Sequence, residues 1–343
     1  MQKISLLSCL LFFLFSCDNL EEPATPDLSV TPRIAFYNVE NLFDTVDDRS
    51  NPRDNEFLPD SEKAWTPERY ATKIDHIARV IAGMQLPTFV GLSEVENEQV
   101  VRDLADNRQL RDADYGLVHY DSPDFRGIDN AFMYCRKSFS VLFSEAIEIN
   151  FPSDIDNTGS TTRDILYVEG VQNSGDTLHF FINHWPSRSG GTTASEPRRV
   201  YVAEQLRAIV DDLLRRQPQA QVVIMGDFND ETDDFSIAQT LGAQTDKTTL
   251  RPDELYNCFA QLDAAGQGSY NFRGDLNMLD QIIVSGNLTD ATGQRVVRPQ
   301  IYNPDYLTFV HNSYGRSPNR TYGGNEYYGG YSDHYAVFVE LEQ

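Results

Sequence analysis

The chain of 343 residues carries 28 Lys and Arg against 52 Asp and Glu, a net charge of −24. Hydrophobic residues make up 40% and charged ones 23%, a balance that can bury a core and that excludes a disordered or collagen-like chain. The acidic excess repels polyanions over about a Debye length. It argues against a broad basic face gripping duplex DNA, and leaves room for a small anionic substrate or for nucleic acid held in one local cleft.

Met1, Gln2 and Lys3 form a short basic start, and Ile4 to Phe15 is almost unbroken apolar sequence, too short to span a bilayer. This signal peptide, residues 1–16, ends in Leu14-Phe15-Ser16-Cys17, which resembles the lipobox of a bacterial lipoprotein and makes Cys17 the expected lipidation site. A plain secretory signal cut nearby also fits. Residues 17–31 are polar with two prolines and read as a tether. Of the remaining cysteines, Cys135 and Cys258 stand far apart; no spacing suits a structural zinc.

Residues 32–343 read as one domain. Arg33–Asn38 predicts a strand and Asp44–Glu62 an acidic loop without EF-hand spacing. Tyr70, Ile74, Ile77, Ile81 and Met84 recur at helical spacing within Thr66–Met84, opened by Thr66-Pro67-Glu68. Thr88–Ser93 is a buried-strand pattern. Asn130–Tyr134, Ser140–Ile149, Asp164–Val171 and Leu178–Asn183 predict further strands. Val202, Leu206, Ile209 and Leu213 place a second helix over Ser195–Arg216. Gln221–Met225, Leu279–Ser285 and Tyr335–Leu341 are late strands. Strands with long helices between some of them predict packed sheets under outer helices.

Polar residues collect where these apolar runs stop: Asn38 and Glu40, Glu94, His184, Asp227 and Asn229, Asp280, then Asp333 and His334. One such residue commonly caps a turn. Six strand ends bearing carboxylate, carboxamide or imidazole suit a hard cation and metal-assisted hydrolysis of a phosphate ester.

The blocks Asn38-Val39-Glu40-Asn41-Leu42, Gly91-Leu92-Ser93-Glu94-Val95, His184-Trp185-Pro186, Gly226-Asp227-Phe228-Asn229, Leu279-Asp280-Gln281 and Ser332-Asp333-His334, in this order, resemble the endonuclease/exonuclease/phosphatase superfamily from Arg33 to Glu340. The resemblance implies an α/β fold, a four-layer αββα sandwich of two packed mixed β-sheets flanked by helices. It implies a magnesium-dependent phosphoesterase, with manganese able to substitute. Glu94 would be the principal metal ligand, with Glu40 and Asp333 near the same ion. Asn38 would hold a ligand or a phosphate oxygen. Asp227 and Asn229 would orient the attacking water and the phosphate, and Asp280 with His334 would form a carboxylate–imidazole dyad. His184 would be the general acid, with Asp129 orienting it.

Ser187 follows His184-Trp185-Pro186 where several branches carry Asn, which weakens any transfer of abasic-site specificity; with Arg188 it is placed among the substrate contacts. Arg198 and Arg199 are further phosphate handles by chemistry. Tyr314–Tyr331, rich in Tyr and Gly, lies directly before Asp333 and either overhangs the site, stacking on a base or sugar, or packs as an ordinary loop. The expected activity is a phosphodiesterase or nuclease on the cell envelope, lipid-anchored and monomeric. The alternatives are a sphingomyelinase-like phospholipid hydrolase and a small phosphomonoester hydrolase. A non-catalytic binding lipoprotein is the reading of another class, and the completeness of the motif set opposes it.

Overall fold

The computed structural model describes residues 31–49, 53–289 and 293–342. The signal segment, Cys17 and the tether to residue 30 lie outside the described residues. In chain order the elements are β1 (Arg33–Leu42), α1 (Pro67–Gly83), β2 (Phe89–Val95), α2 (Glu98–Ala105), β3 (Tyr115–His119), β4 (Asp129–Cys135), β5 (Phe139–Ile147), β6 (Ile165–Gln172) and β7 (Thr177–His184). There follow α3 (Thr192–Arg216), β8 (Gln221–Asp227), β9 (Ala243–Gln244), β10 (Leu255–Asn257) and α4 (Ala260–Ala264). β11 (Tyr270–Phe272) and β12 (Asp275–Asn277) make a hairpin before β13 (Asp280–Ser285) and β14 (Arg295–Tyr302). Two more hairpins, β15 (Thr308–His311) with β16 (Gly315–Pro318) and β17 (Tyr322–Gly323) with β18 (Glu326–Tyr327), precede β19 (Ala336–Glu342).

One sheet has the order β14-β19-β1-β2-β4-β3 and the other β5-β6-β7-β8-β13-β10-β9. Both are mixed: β1 with β2 and β7 with β8 are parallel, and most other neighbours are antiparallel. The period of two along β1 explains the layering. Ile34 and Phe36 point into a core shared with Phe180, Val223, Met225 and Ile282 of the second sheet. Ala35 and Tyr37 face the other way, against Ile74, Ile77 and Ile81 of α1 and Val100 and Leu104 of α2. On the far side, Phe181, Val222 and Ile224 pack under Val202, Leu206 and Val210 of α3. The result is the four-layer αββα sandwich, and Pro32–Gln343 forms one unit.

Local chemistry sets the boundaries. Thr66 caps α1 by accepting from the Arg69 amide at 3.4 Å, with Pro67 following it. Asn97 caps α2 through the Val100 amide at 3.0 Å. α3 begins at Thr192, three residues earlier than its apolar stripe indicates. Strands β3 and β14 have no counterpart among the predicted elements. β3 is only five residues long, and β14 holds Pro299, tolerated where the register shifts between Val297 and Gln300. Cys135 and Cys258 are free thiols, so they do not pair.

Candidate active site

Three adjacent strands of the second sheet bring the site together by register. His184 at the end of β7 lies opposite Asp227 at the end of β8, and Asp227 lies opposite Asp280 at the start of β13. Gly226 lets β8 approach β7 closely enough for this: a Cβ there would come within 2.4 Å of the Asn183 carbonyl oxygen. From the first sheet, Asn38 of β1 donates its Nδ2 to Asp227 Oδ2 at 2.9 Å. His334, just before β19, puts Nδ1 2.6 Å from Asp280 Oδ2. Tyr270 pairs with His334 through an isolated bridge and lays its ring against the imidazole, 4.8 Å between centroids.

The ends of β1 and β2 leave ordinary geometry. The pairing shifts register between Asn38 and Leu42 and again between Ser93 and Val95. Glu40, Asn41, Glu94 and Asn229 all have positive φ, between 52° and 65°. A non-glycine residue in the left-handed region costs about 1–2 kcal/mol, and such strain collects at functional sites. Glu94 is held by the Asn41 amide at 3.0 Å on Oε2, while its Oε1 faces Arg126 at 3.5 Å and His184 Nε2 at 3.9 Å. Asn229 donates to the Trp185 carbonyl at 3.0 Å, and its amide donates to Asp227 Oδ1 at 3.0 Å.

The two imidazoles are pushed in opposite directions. Burial lowers His184 well below the usual histidine value, and Arg163, Arg126 and His334 repel a proton further. Burial also opposes charge on His334, but Asp280 and Asp227 outweigh it and hold the ring well above that value. Burial raises Asp227, with His334 offsetting part of the rise and Asp280 adding to it. Glu40 is raised by burial and by Asp333, while Lys73 opposes the rise.

Several expected roles change. Asp129 does not reach His184: its Oδ2 meets His119 Nε2 at 3.2 Å, and its Oδ1 accepts from the Ser122 amide and hydroxyl. His184 Nδ1 is buried with no hydrogen-bond partner among the described residues. Arg188 is no free phosphate handle. It donates to the Asn229 carbonyl at 2.7 Å and to Asp234 at 2.6 Å, with Glu231 at 3.5 Å, and so pins the loop after β8. Arg199 is fully buried against Asp230 at 2.7 Å. Ser187 is exposed. The Glu40 carboxylate accepts from the Thr321 amide at 2.6 Å and the Tyr322 amide at 3.3 Å, anchoring the loop over the site rather than pointing freely at an ion. Asp333 pairs with Arg320 at 2.8 Å.

Residues missed from the sequence support that loop. Lys73 is buried and donates to Thr321 Oγ1 and the Tyr331 carbonyl, both at 2.6 Å. Its spacing from Tyr70 and Ile77 places it on the inward face of α1, a readable signal. Arg320 faces both Asp333 and Glu40. The loop borders a cleft of about 930 Å³ lined by Tyr270, Phe272, Phe309, Tyr314 and Tyr328 together with Arg320 and Asp333. Tyr314, Tyr327 and Tyr328 of the Tyr-rich segment thus line a cleft that reaches Asp333.

Oxygen donors dominate this face. Among the described residues, Asp227, Asp280 and His334 present ligand atoms within 4.8 Å of one another, as do His119, Asp121 and Asp129. Glu94, Glu40 and Asp333 do not form such a set. They do repel one another, Glu94 raising Asp333 and Asp333 raising Glu40. Lys73 and Arg320 offset part of that repulsion, and Glu40 is still raised; gathered carboxylates of this kind fit a hard divalent cation.

A family model described as "Endonuclease/Exonuclease/phosphatase family" matches residues 33–343. No curated protein sequence matches the chain. Among solved structures, an endonuclease/exonuclease/phosphatase family protein of Bacteroides thetaiotaomicron aligns over 91% of this chain and 98% of its own, at 15% identity and a TM-score of 0.54. A mannosyl-6-phosphatase of the same organism aligns over 91% and 100%, at 16% identity and 0.54. TDP2 of D. rerio, complexed with single-strand DNA product, aligns over 91% and 99%, at 15% identity and 0.53.

Proposed function

The chain belongs to the endonuclease/exonuclease/phosphatase family, and from that premise we propose that it hydrolyses phosphodiesters with the help of a divalent cation, magnesium or in its place manganese. The observation that carries the chemistry is the row His184–Asp227–Asp280 with His334 closing it. The cation, when bound, would be held by Glu94 and Asp333, with Asn38 beside them and Glu40 behind, and would polarise a phosphoryl oxygen.

The chain's own residues move the protons. Asp227, raised toward neutrality, takes the proton of the attacking water, and its orientation is fixed by Asn38 and the Asn229 amide. His334, charged beside Asp280, gives its proton to the departing oxygen. The 3.8 Å between His334 Nε2 and Asp227 Oδ2 lets the proton taken from water return to the ring. Burial and the neighbouring Arg163 and Arg126 disfavour an imidazolium at His184, and the N–H of a neutral ring is a weak acid, so the general acid is assigned to His334 in place of His184. The aromatic cleft beyond Asp333 favours a diester with a planar or sugar body over a bare phosphomonoester.

The protein is further read as a monomer lipidated at Cys17 on the bacterial envelope. The test of the activity is a screen of purified protein with and without magnesium against DNA, RNA, bis-p-nitrophenyl phosphate, sphingomyelin and a sugar phosphate. Magnesium-dependent cleavage of the diesters is expected. Turnover of none of them, or of the sugar phosphate alone, would overturn the diesterase reading.

A further inference from the structure

Beside the reacting groups lies a second niche of about 350 Å³, walled by Phe125, Phe151 and Pro186 as well as by polar side chains, that the reaction above does not use. Arg126, Arg163 and Arg198 line it together with Thr162, Ser187 and Ser189. Three guanidiniums gather in this niche, each with a carboxylate beside it: Asp124 at Arg163 and Arg126, Glu94 at Arg126 and Asp156 at Arg198. Arg163 is the fixed wall: its Nε donates to the His184 carbonyl at 3.1 Å, Nη2 to the Trp185 carbonyl at 2.6 Å and Nη1 to Asp124 at 3.0 Å.

The other two keep capacity. Arg126, one third exposed, stands 3.5 Å from both Asp124 and Glu94, beyond good hydrogen-bond length. Arg198 makes a 3.2 Å contact to Asp156. Thr162 is 2% exposed, and its Oγ1 has no hydrogen-bond partner among the described residues. A buried hydroxyl at the wall of the niche keeps a hydrogen bond to give. Arginine forks and a hydroxyl donor select a phosphate or similar anion.

The niche shares its walls with the reaction centre, through Arg163 on His184 and Arg126 on Glu94. We propose that it binds a second anionic group of the substrate, a phosphate next to the one being cleaved. The proposal rests on the phosphoesterase reading above. The same chemistry is carried by a strand with consecutive phosphates and by a bisphosphorylated sugar, and the test separates them.

Two matched pairs serve as probes: thymidine 5′-(p-nitrophenyl phosphate) with and without a 3′-phosphate, and glucose 1-phosphate against glucose 1,6-bisphosphate. The readout is the ratio of kcat/KM within each pair, for wild type, Arg198→Gln and Thr162→Val, each checked for its melting temperature. Wild type is expected to favour the added phosphate by about tenfold or more in one pair, and that pair names the source. Both folded variants are expected to bring the ratio close to one. Ratios near one for wild type in both pairs, or a preference that survives in folded Arg198→Gln and Thr162→Val, overturn the proposal. If wild type cleaves none of the four esters, the phosphoesterase reading is decided by the wider screen above. Calorimetry then decides the niche: thymidine 3′,5′-bisphosphate should bind wild type at least about tenfold tighter than thymidine 5′-phosphate, and equal Kd values refute it.

Discussion

His184 and His334 present their Nε2 atoms to the same oxygen, Asp227 Oδ2, at 3.6 and 3.8 Å. One ring ends a strand of the seven-stranded sheet; the other precedes the last strand of the six-stranded sheet. Asp227 therefore couples the two halves of the sandwich, with an uncharged imidazole on one side and a charged one on the other.

The charge on His334 depends on Asp280, so Asp280→Asn lowers the pKa of the ring. A group needed in its protonated form gives activity that is lost as pH rises through its pKa. The basic limb of the kcat/KM profile is therefore expected to move to lower pH in Asp280→Asn, with turnover at neutral pH down by about 10²–10⁴-fold. An unmoved basic limb would remove His334 as the acid.

Glu94 is the carboxylate best placed for the cation. Glu94→Gln keeps its size and its bond from the Asn41 amide, so its melting temperature should stay near that of wild type. Its turnover should fall by more than the about 10–100-fold typical of residues that merely orient a metal ligand. Full turnover at limiting magnesium would refute the assignment.

Cation binding should be pH-dependent. Asp333, one of the two carboxylates that would hold the cation, and Glu40 behind it are both raised above their ordinary values, chiefly by burial, so in the folded protein they resist losing their protons as pH rises past the usual carboxylate range. Both must lose them before they favour a cation. The rise in Tm on adding magnesium, read by scanning fluorimetry, should be larger at about pH 8 than at about pH 5.5. The reverse order would contradict the carboxylate site.

Asp129→Asn should leave turnover near wild type, because its oxygens serve His119 and Ser122. A loss of the about 10²–10⁴-fold seen when a proton-transfer group is disabled would restore Asp129 to the site.

Cys17→Ser should release the protein from the membrane fraction or leave its signal uncut. Wild type that already partitions into the aqueous phase of a detergent extraction would exclude the anchor.

Much of the site was legible because apolar strands run straight into polar tetrapeptides, as Val222–Met225 runs into Gly226-Asp227-Phe228-Asn229. Strand order brings those ends to one edge. What failed was side-chain partnership. β3 is too short to show a period, so His119 was not seen as the neighbour that takes Asp129 across β3 and β4. Arg188 was read by its chemistry alone, while Asp230, Glu231 and Asp234 lay ready to bind it one loop away. The opposite charging of the two histidines follows from three-dimensional surroundings, Arg163 and Arg126 at one ring and Asp280 at the other, and no linear spacing encodes it.

The left-handed backbone at Glu94 sets stability against chemistry at a single position. Glycine, which adopts φ near 65° without a steric penalty, would relax the turn after Ser93 and remove the carboxylate in the same stroke. A library of variants selected for heat resistance alone will drift toward losing Glu94. Laboratory evolution of this protein needs turnover in its screen from the first round, or it will return hardy, inert sandwiches.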